Sequence, residues 1–127
     1  MILATSIEFI KNLIQIDYDG LYFDFHSDYE CQSISNFNEV LILTFKNLFN
    51  EQKLLHLKFI DVEITALEFF NTKEVVNLTI DNLYRGKFEF SGELKEFTEE
   101  GKGYFYLEFY EGQKLEFWAK GLSIESL

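Results

Sequence analysis

The chain has 127 residues, of which 47% are hydrophobic and 18% aromatic, a composition that excludes a disordered chain and predicts one domain over residues 1–127. Eleven Lys and Arg against 22 Asp and Glu give a net charge of −11, which argues against nucleic acid and membranes as partners. The N-terminus lacks the pattern of a secretory signal, and the single cysteine, Cys31, fits a reducing compartment, so we expect a cytoplasmic protein.

The N-terminal segment is the one place where the pattern indicates a helix. Thr5 and Glu8 have the spacing of a capping box, and apolar residues recur at helical intervals from Ile7 to Ile14. An edge strand accounts for the same residues equally well. Both interpretations therefore stay open for this segment.

Most of the remaining chain alternates apolar and polar residues in short segments, which is typical of antiparallel strands. The predicted strands cover residues 21–29, 40–45, 54–64, 66–70, 75–80, 87–95, 104–111 and 114–123, and the last three form a predicted meander. The apolar residues change from odd-numbered to even-numbered positions near Phe59 and Ile60, which predicts a bulge or bend there. We predict an all-β, mainly antiparallel fold, either a sandwich or a strongly curved sheet, with room for one short N-terminal helix.

Few side chains suit catalysis. The chain has one cysteine and two histidines, and no nucleophile signature surrounds Cys31. Asp24, His26, Asp28 and Glu30 alternate along one predicted strand, but same-face neighbours lie about 7 Å apart and no second ligand-bearing strand is evident. We therefore predict no enzyme, no catalytic residues, no metal site and no cofactor.

Acidic residues are concentrated in one stretch, hereafter the acidic stretch. Between Lys11 and Lys46 the chain has six acids and neither Lys nor Arg. Such a concentration can steer a basic partner toward its binding site, and a solvated surface that confers only solubility explains it equally well. We assign Asp24, Asp28 and Glu30 to partner steering.

A second candidate surface lies near the C-terminus. Tyr104, Tyr106, Glu108 and Tyr110 share one parity, while the Phe and Leu residues between them share the other and form the predicted core face. Trp118 is predicted to point outward beside them. We assign these five residues to partner binding, because outward Tyr and Trp with acids are typical of binding hot spots. The alternatives are cross-strand pairs that stiffen the sheet, or coverage by the N-terminal helix or a second subunit.

The C-terminal half contains three apolar motifs, which are LKFIDV at 57–62, VNLTI at 76–80 and GQKLEFWAKGLSI at 112–124. In these motifs it resembles small acidic bacterial β-proteins. Their order is a strand with L-x-F-x-x-V, a strand ending near an isoleucine, and a closing L-x-F-x-A strand. Some such proteins resemble immunity proteins of bacterial toxin systems, and the resemblance implies binding to a toxin without assigning any residue a role.

These features favour binding over catalysis. We predict a non-catalytic protein-binding domain that neutralises a basic partner such as a bacterial toxin, for which a surface of net charge −11 is a suitable complement. A small-molecule or carbohydrate-binding β-domain would use the same aromatic face to stack on sugar rings. A homo-oligomeric structural protein would bury that face between subunits.

Overall fold

The structure is a computed structural model that describes residues 1–69, 78–86, 88–95 and 101–127. These residues are built mainly from antiparallel strands, which confirms the predicted all-β class. The strands are β1 (Ile2–Leu3), β2 (Gln15–Tyr18), β3 (Leu21–Asp24), β4 (Tyr29–Phe37), β5 (Val40–Asn47), β6 (Leu54–Ile60), β7 (Glu63–Glu68), β8 (Ile80–Gly86), β9 (Phe88–Phe90), β10 (Glu93–Lys95), β11 (Gly103–Phe109), β12 (Lys114–Ala119) and β13 (Gly121–Ser126).

The strands form two main sheets and two hairpins. The five-stranded sheet has the order β1-β13-β6-β5-β4, and the four-stranded sheet has the order β7-β12-β11-β8. Strands β2 and β3 pair only with each other in the described sheets, as do β9 and β10. All of these strand pairs are antiparallel.

Aromatic rings join the two main sheets. The ring of Phe59 on β6 lies 5.3 Å from that of Phe105 on β11 and 4.8 Å from that of Phe117 on β12, both in edge-on geometry. All three side chains are fully buried. Edge-on rings at these distances attract each other beyond the free energy of burying their area. The sheets therefore form a sandwich with an aromatic centre.

The chain crosses from one sheet to the other after β6 and again after β12. At the first crossing Asp61 has a φ of 52°, so the predicted bend near Ile60 is confirmed and separates two strands of different sheets. At the second crossing Gly121 starts β13, where a Cβ atom would lie 2.8 Å from the Ile2 carbonyl oxygen. Only glycine lets β1 approach this closely.

The hairpin β9–β10 corrects the predicted strand over residues 87–95. Ser91 and Gly92 have φ values of 53° and 79°, and the chain reverses there. Two consecutive residues with positive φ are typical of the tight hairpin turn, and the apolar alternation continues through it and hides it. Residue 87 lies outside the described residues.

The predicted meander of the last three strands is also wrong. Strand β11 pairs with β8 and β12, while β13 joins the other sheet, so the predicted strand 114–123 is two strands. The predicted strand 21–29 is likewise divided, into β3 and β4, whereas 40–45 is confirmed within β5. The prediction for 66–70 coincides with the end of β7 at residues 66–68, whereas residue 69 lies beyond the strand and residue 70 lies outside the described residues. In the prediction for 75–80, residues 75–77 lie outside the described residues.

Of the two interpretations left open for the N-terminal segment, the helix is wrong. Ala4–Ser6 makes one 3-10 turn, and Ile2–Leu3 is a short edge strand paired with β13. The backbone N–H of Ile10 donates to the Arg85 carbonyl oxygen at 2.8 Å, so it serves β8 rather than a helix. Within the described residues, no helix has the length and apolar character needed to cross a membrane.

A buried arginine holds this segment against β8. The Arg85 side chain is 5% exposed, and its Nη1 donates to the Ile7 carbonyl oxygen at 2.9 Å. Its guanidinium carbon lies 4.1 Å from the centre of the Phe9 ring, a cation–π contact. These long-range contacts replace the local hydrogen bonds that a helix would have made.

We expect Phe59→Ala to lower the free energy of unfolding by about 3–5 kcal/mol, because it leaves a cavity where the two sheets meet. Phe49→Ala is the matched control, since this side chain is 82% exposed and its loss should cost less than about 0.5 kcal/mol. Urea unfolding followed by circular dichroism measures both values. Equal effects of the two substitutions would contradict the described core.

Candidate binding surface

The outer face of the four-stranded sheet is the strongest candidate site. Residues Phe105, Leu107 and Phe109 belong to the buried core, as predicted. Because side chains alternate along a strand, the neighbouring positions of β11 and β12 lie on the opposite face. We call this surface the tyrosine face. It consists of Tyr84, Tyr104, Tyr106, Glu108, Lys114, Glu116 and Trp118.

Tyr104 and Trp118 are on the tyrosine face but are buried, which corrects the expectation that both are exposed there. They are 2% and 9% exposed, and the two rings meet edge-on at 5.0 Å. The Tyr104 hydroxyl donates to the Glu116 carboxylate at 3.1 Å and also hydrogen-bonds the Thr65 hydroxyl. Burial raises the pKa of Tyr104 to about 12, and the Glu116 charge adds to this effect. These two rings support the face from within.

Tyr84 and Tyr106 form the accessible part of the tyrosine face. Both are half-buried, and their rings stack at 5.2 Å with 20° between their planes. The Tyr106 ring covers Gly86, where an added Cβ would lie 2.3 Å from the ring. Burial raises the pKa of Tyr84, and the negative charges of Glu108 and Glu116 raise it further. The rings therefore lie in a negative local potential.

A cavity of about 180 Å³ opens beside these rings. Tyr84, Tyr106, Glu108, Lys114 and Glu116 contribute to its lining. Tyr106 lies directly opposite Glu116 in the β11–β12 register, and Glu108 lies opposite Lys114. The arrangement combines aromatic surface with two carboxylates and one ammonium group, which suits binding rather than bond-making chemistry.

Only some of the residues assigned to partner binding from the sequence line this cavity. Tyr106 and Glu108 line the cavity, whereas Tyr110 is 74% exposed in the turn that follows β11. Sequence reasoning missed Tyr84, because the register between β8 and β11 shifts near Asp81 and interrupts the alternation. The available signal was the two-residue spacing of Asn82 and Tyr84, which lie on the C-terminal side of the register shift.

Asp24 is the last residue of β3, and its side chain is buried against the turn to β4, so it is not the exposed acid that the assignment to partner steering expected. Its buried carboxylate accepts the backbone N–H groups of His26 at 3.1 Å and Ser27 at 2.9 Å, and the Gln15 side-chain amide at 3.2 Å. Burial alone would raise the pKa of Asp24, but these hydrogen bonds outweigh it and lower the pKa. Asp24 therefore stabilises the turn.

The other members of the acidic stretch are spread over the molecule. Asp28 and Glu30 are half-buried, and Glu30 lies opposite Lys46 in the β4–β5 register. Glu39 is at the other end of the same hairpin, roughly 25 Å along the strand at about 3.3 Å per residue. Asp17 projects from the separate β2–β3 hairpin. None of these elements carries the tyrosine face.

The nucleophile and base candidates are engaged structurally. Cys31 is 2% exposed, its Sγ donates to the Ser33 carbonyl oxygen at 3.5 Å, and burial raises its pKa to about 12. His26 Nδ1 hydrogen-bonds the Ile80 carbonyl oxygen at 2.7 Å. In the described ranges, no three His, Cys, Asp or Glu side chains are grouped so that they could hold a metal ion.

Comparison with known proteins does not extend this description. No family model, curated protein or solved structure matches the chain. The tyrosine face and the distribution of charge are therefore the features from which we infer a function.

Asp24→Ala should lower the free energy of unfolding at pH 7 by about 1–3 kcal/mol, because the backbone N–H groups of His26 and Ser27 lose a charged acceptor. The folded-state pKa lies below the ordinary value of 3.8, so the stabilisation is complete above pH 3.8 and is lost as the pH falls through the folded-state pKa. The difference between wild type and variant should therefore shrink in acid. Denaturant titrations from pH 2 to 7 measure it, with the exposed Asp17→Ala as the control. A difference that does not change with pH would exclude this role of the carboxylate.

Cys31 should resist thiol reagents in the folded protein. With a pKa of about 12, only about one thiol in 10⁵ is ionised at pH 7, and the sulfur is also buried. Iodoacetamide labelling followed by mass spectrometry should show slow modification in buffer and rapid modification in about 6 M guanidinium, which unfolds most domains. Fast labelling of the folded chain would show that the described environment of Cys31 is wrong.

Proposed function

We propose that this chain is a non-catalytic binding domain for a basic protein and that the tyrosine face is its contact surface. The observation that carries the proposal is the stacked, half-buried pair of Tyr84 and Tyr106 beside the carboxylates of Glu108 and Glu116. Aromatic residues that keep one accessible edge are favoured at interfaces, because they contribute a large contact area at low entropic cost. The two carboxylates favour a cationic partner over a neutral one.

The charge of the whole chain supports the same partner. A net charge of −11 creates a long-range field that increases the rate at which a basic protein associates. Because Asp28, Glu30 and the other acids are spread over several elements, their proposed role is steering, and the tyrosine face holds the contact. Tyr110 is exposed at the end of β11 and extends the proposed contact region.

A toxin that acts on nucleic acid is the kind of basic partner we favour. Such a toxin must present a cationic surface to a polyanion, and an acidic binder covers that surface. The resemblance to immunity proteins supports the same interpretation. Neutralisation would take place in the cytoplasm, where a single buried cysteine is suited to reducing conditions.

One observation favours a carbohydrate-binding alternative. The Tyr84 and Tyr106 rings border a cavity, and tyrosine rings can stack on the apolar faces of sugars. Sugar binding would be almost insensitive to salt, whereas association with a basic protein slows as salt screens the charges. Salt dependence therefore separates the two functions. A homo-oligomer is a further alternative, which light scattering tests directly because it reports a mass above that of one chain.

We expect the immobilised protein to capture a basic protein from lysate of its own organism at low salt and to release it at about 0.5 M salt, where surface charges are screened. Tyr106→Ala should abolish capture, and Tyr22→Ala, an exposed tyrosine on β3, is the matched control. Mass spectrometry identifies the partner, and circular dichroism verifies that both variants are folded. Capture that survives both high salt and Tyr106→Ala would contradict the proposal, as would salt-independent binding to a glycan array.

A further inference from the structure

We infer that the cavity of the tyrosine face receives the guanidinium group of an arginine side chain. The inference rests on the proposed function and makes it more specific, because it names the chemical group of the basic partner that is recognised. The site is the cavity whose lining includes Tyr84, Tyr106, Glu108, Lys114 and Glu116, where the rings of Tyr84 and Tyr106 stack on each other.

The strand register gives this cavity a four-cornered outline. Tyr106 and Glu108 are two residues apart on β11, and they face Glu116 and Lys114 on β12. The two carboxylates therefore occupy diagonal corners, and diagonal neighbours on a sheet are about 7–8 Å apart. A planar cation placed between them can donate hydrogen bonds to both carboxylates while it lies against the Tyr106 ring.

The two carboxylates are held differently. Glu116 accepts a hydrogen bond from Tyr104, whose ring is buried and whose hydroxyl also contacts Thr65, so this carboxylate is positioned before any ligand arrives. Glu108 is half-buried at the rim of the cavity. One fixed and one adjustable acceptor suit the forked donors of a guanidinium better than a single point charge.

Arginine fits this site better than lysine. A guanidinium is planar, is more weakly hydrated than an ammonium group and stacks on aromatic rings. Tyr84 and Tyr106 provide stacked aromatic surface at one side of the cavity. An ammonium group would gain charge attraction alone and would lose more hydration.

The ammonium group of Lys114 competes with a bound guanidinium for the carboxylates of this cavity. Lys114 is exposed and contributes to the cavity lining, and its cross-strand neighbours are Glu108 on β11 and Glu68 on β7. Within the described part of the chain, Lys114 forms no ion pair. Its ammonium group can therefore move toward Glu68 when a guanidinium enters, at the cost of some repulsion.

The test is an NMR titration of the ¹⁵N-labelled full chain with N-acetyl-L-arginine amide and, separately, with N-acetyl-L-lysine amide. We expect the arginine probe to shift the backbone signals of residues 106–108 and 114–116 and to bind with a Kd of about 1–10 mM, as befits a small ligand with few contacts. The lysine probe should bind at least about threefold more weakly. Equal binding of the two probes, or shifts confined to other regions, would overturn the inference.

Two substitutions should move the affinity in opposite directions. Glu108→Gln should weaken arginine binding about fivefold, the size of one exposed charge contact, and Lys114→Gln should strengthen it about twofold by removing the competing cation. The control is Glu51→Gln, the same charge change in the turn between β5 and β6, which should leave the affinity unchanged. An equal loss in Glu51→Gln and Glu108→Gln would show a general charge effect and no arginine site.

The outcomes also separate this inference from the proposed function. If the arginine probe fails to bind while a basic protein is still captured in a Tyr106-dependent manner, only the arginine site is wrong. If neither the probe nor a basic protein binds, the proposed function fails as well.

Discussion

The packing of Phe59 against Phe105 and Phe117 is the constraint from which the candidate site follows. These contacts direct one side of β11 and β12 into the core, so the alternate side chains must lie on the outer face of the four-stranded sheet. Tyr106, Glu108 and Glu116 therefore share a face because the intervening residues fill the sandwich. The candidate binding surface is thus formed by the residues that alternate with the core positions of these strands.

The outer face combines buried side chains with half-buried ones, and this difference bears on the proposed binding. Tyr104 and Trp118 are buried and pack edge-on, and the Tyr104 hydroxyl holds the Glu116 carboxylate. Beside Tyr104 the Tyr106 ring covers Gly86, where no side chain competes for the space. Side chains positioned in advance lose less conformational entropy when a partner binds, so under the proposed function the buried pair would contribute to affinity without touching the partner.

The sequence predicts best those structural features that follow from the periodic alternation of apolar and polar residues. It predicts poorly the features that depend on long-range contacts. Alternation correctly predicts the core positions of β11 and the bend near Ile60, since both are local in the chain. It misses the Ser91–Gly92 reversal, because the apolar pattern continues through the turn. Alternation also predicts an exposed Tyr104, which is wrong. The alternation shows on which face of a sheet a side chain lies, but it does not show which other residues cover that face. The buried role of Asp24 is missed because an acidic residue in a charged stretch resembles its solvated neighbours, while its hydrogen bonds form only in the folded turn.

The acids of the acidic stretch and the residues proposed to contact a partner therefore lie on different parts of this molecule. The acids of the acidic stretch lie on the β2–β3 hairpin, on the β4–β5 hairpin and in the turn that joins the two hairpins, and they act at a distance through their summed field. Glu108 and Glu116 act at contact range beside aromatic rings, where a partner displaces water and each charge interacts more strongly. Long-range charge mainly sets how fast a partner arrives, and a desolvated contact mainly sets how slowly it leaves. An acidic chain with one compact aromatic face thus has both components that tight and rapid binding of a basic protein requires.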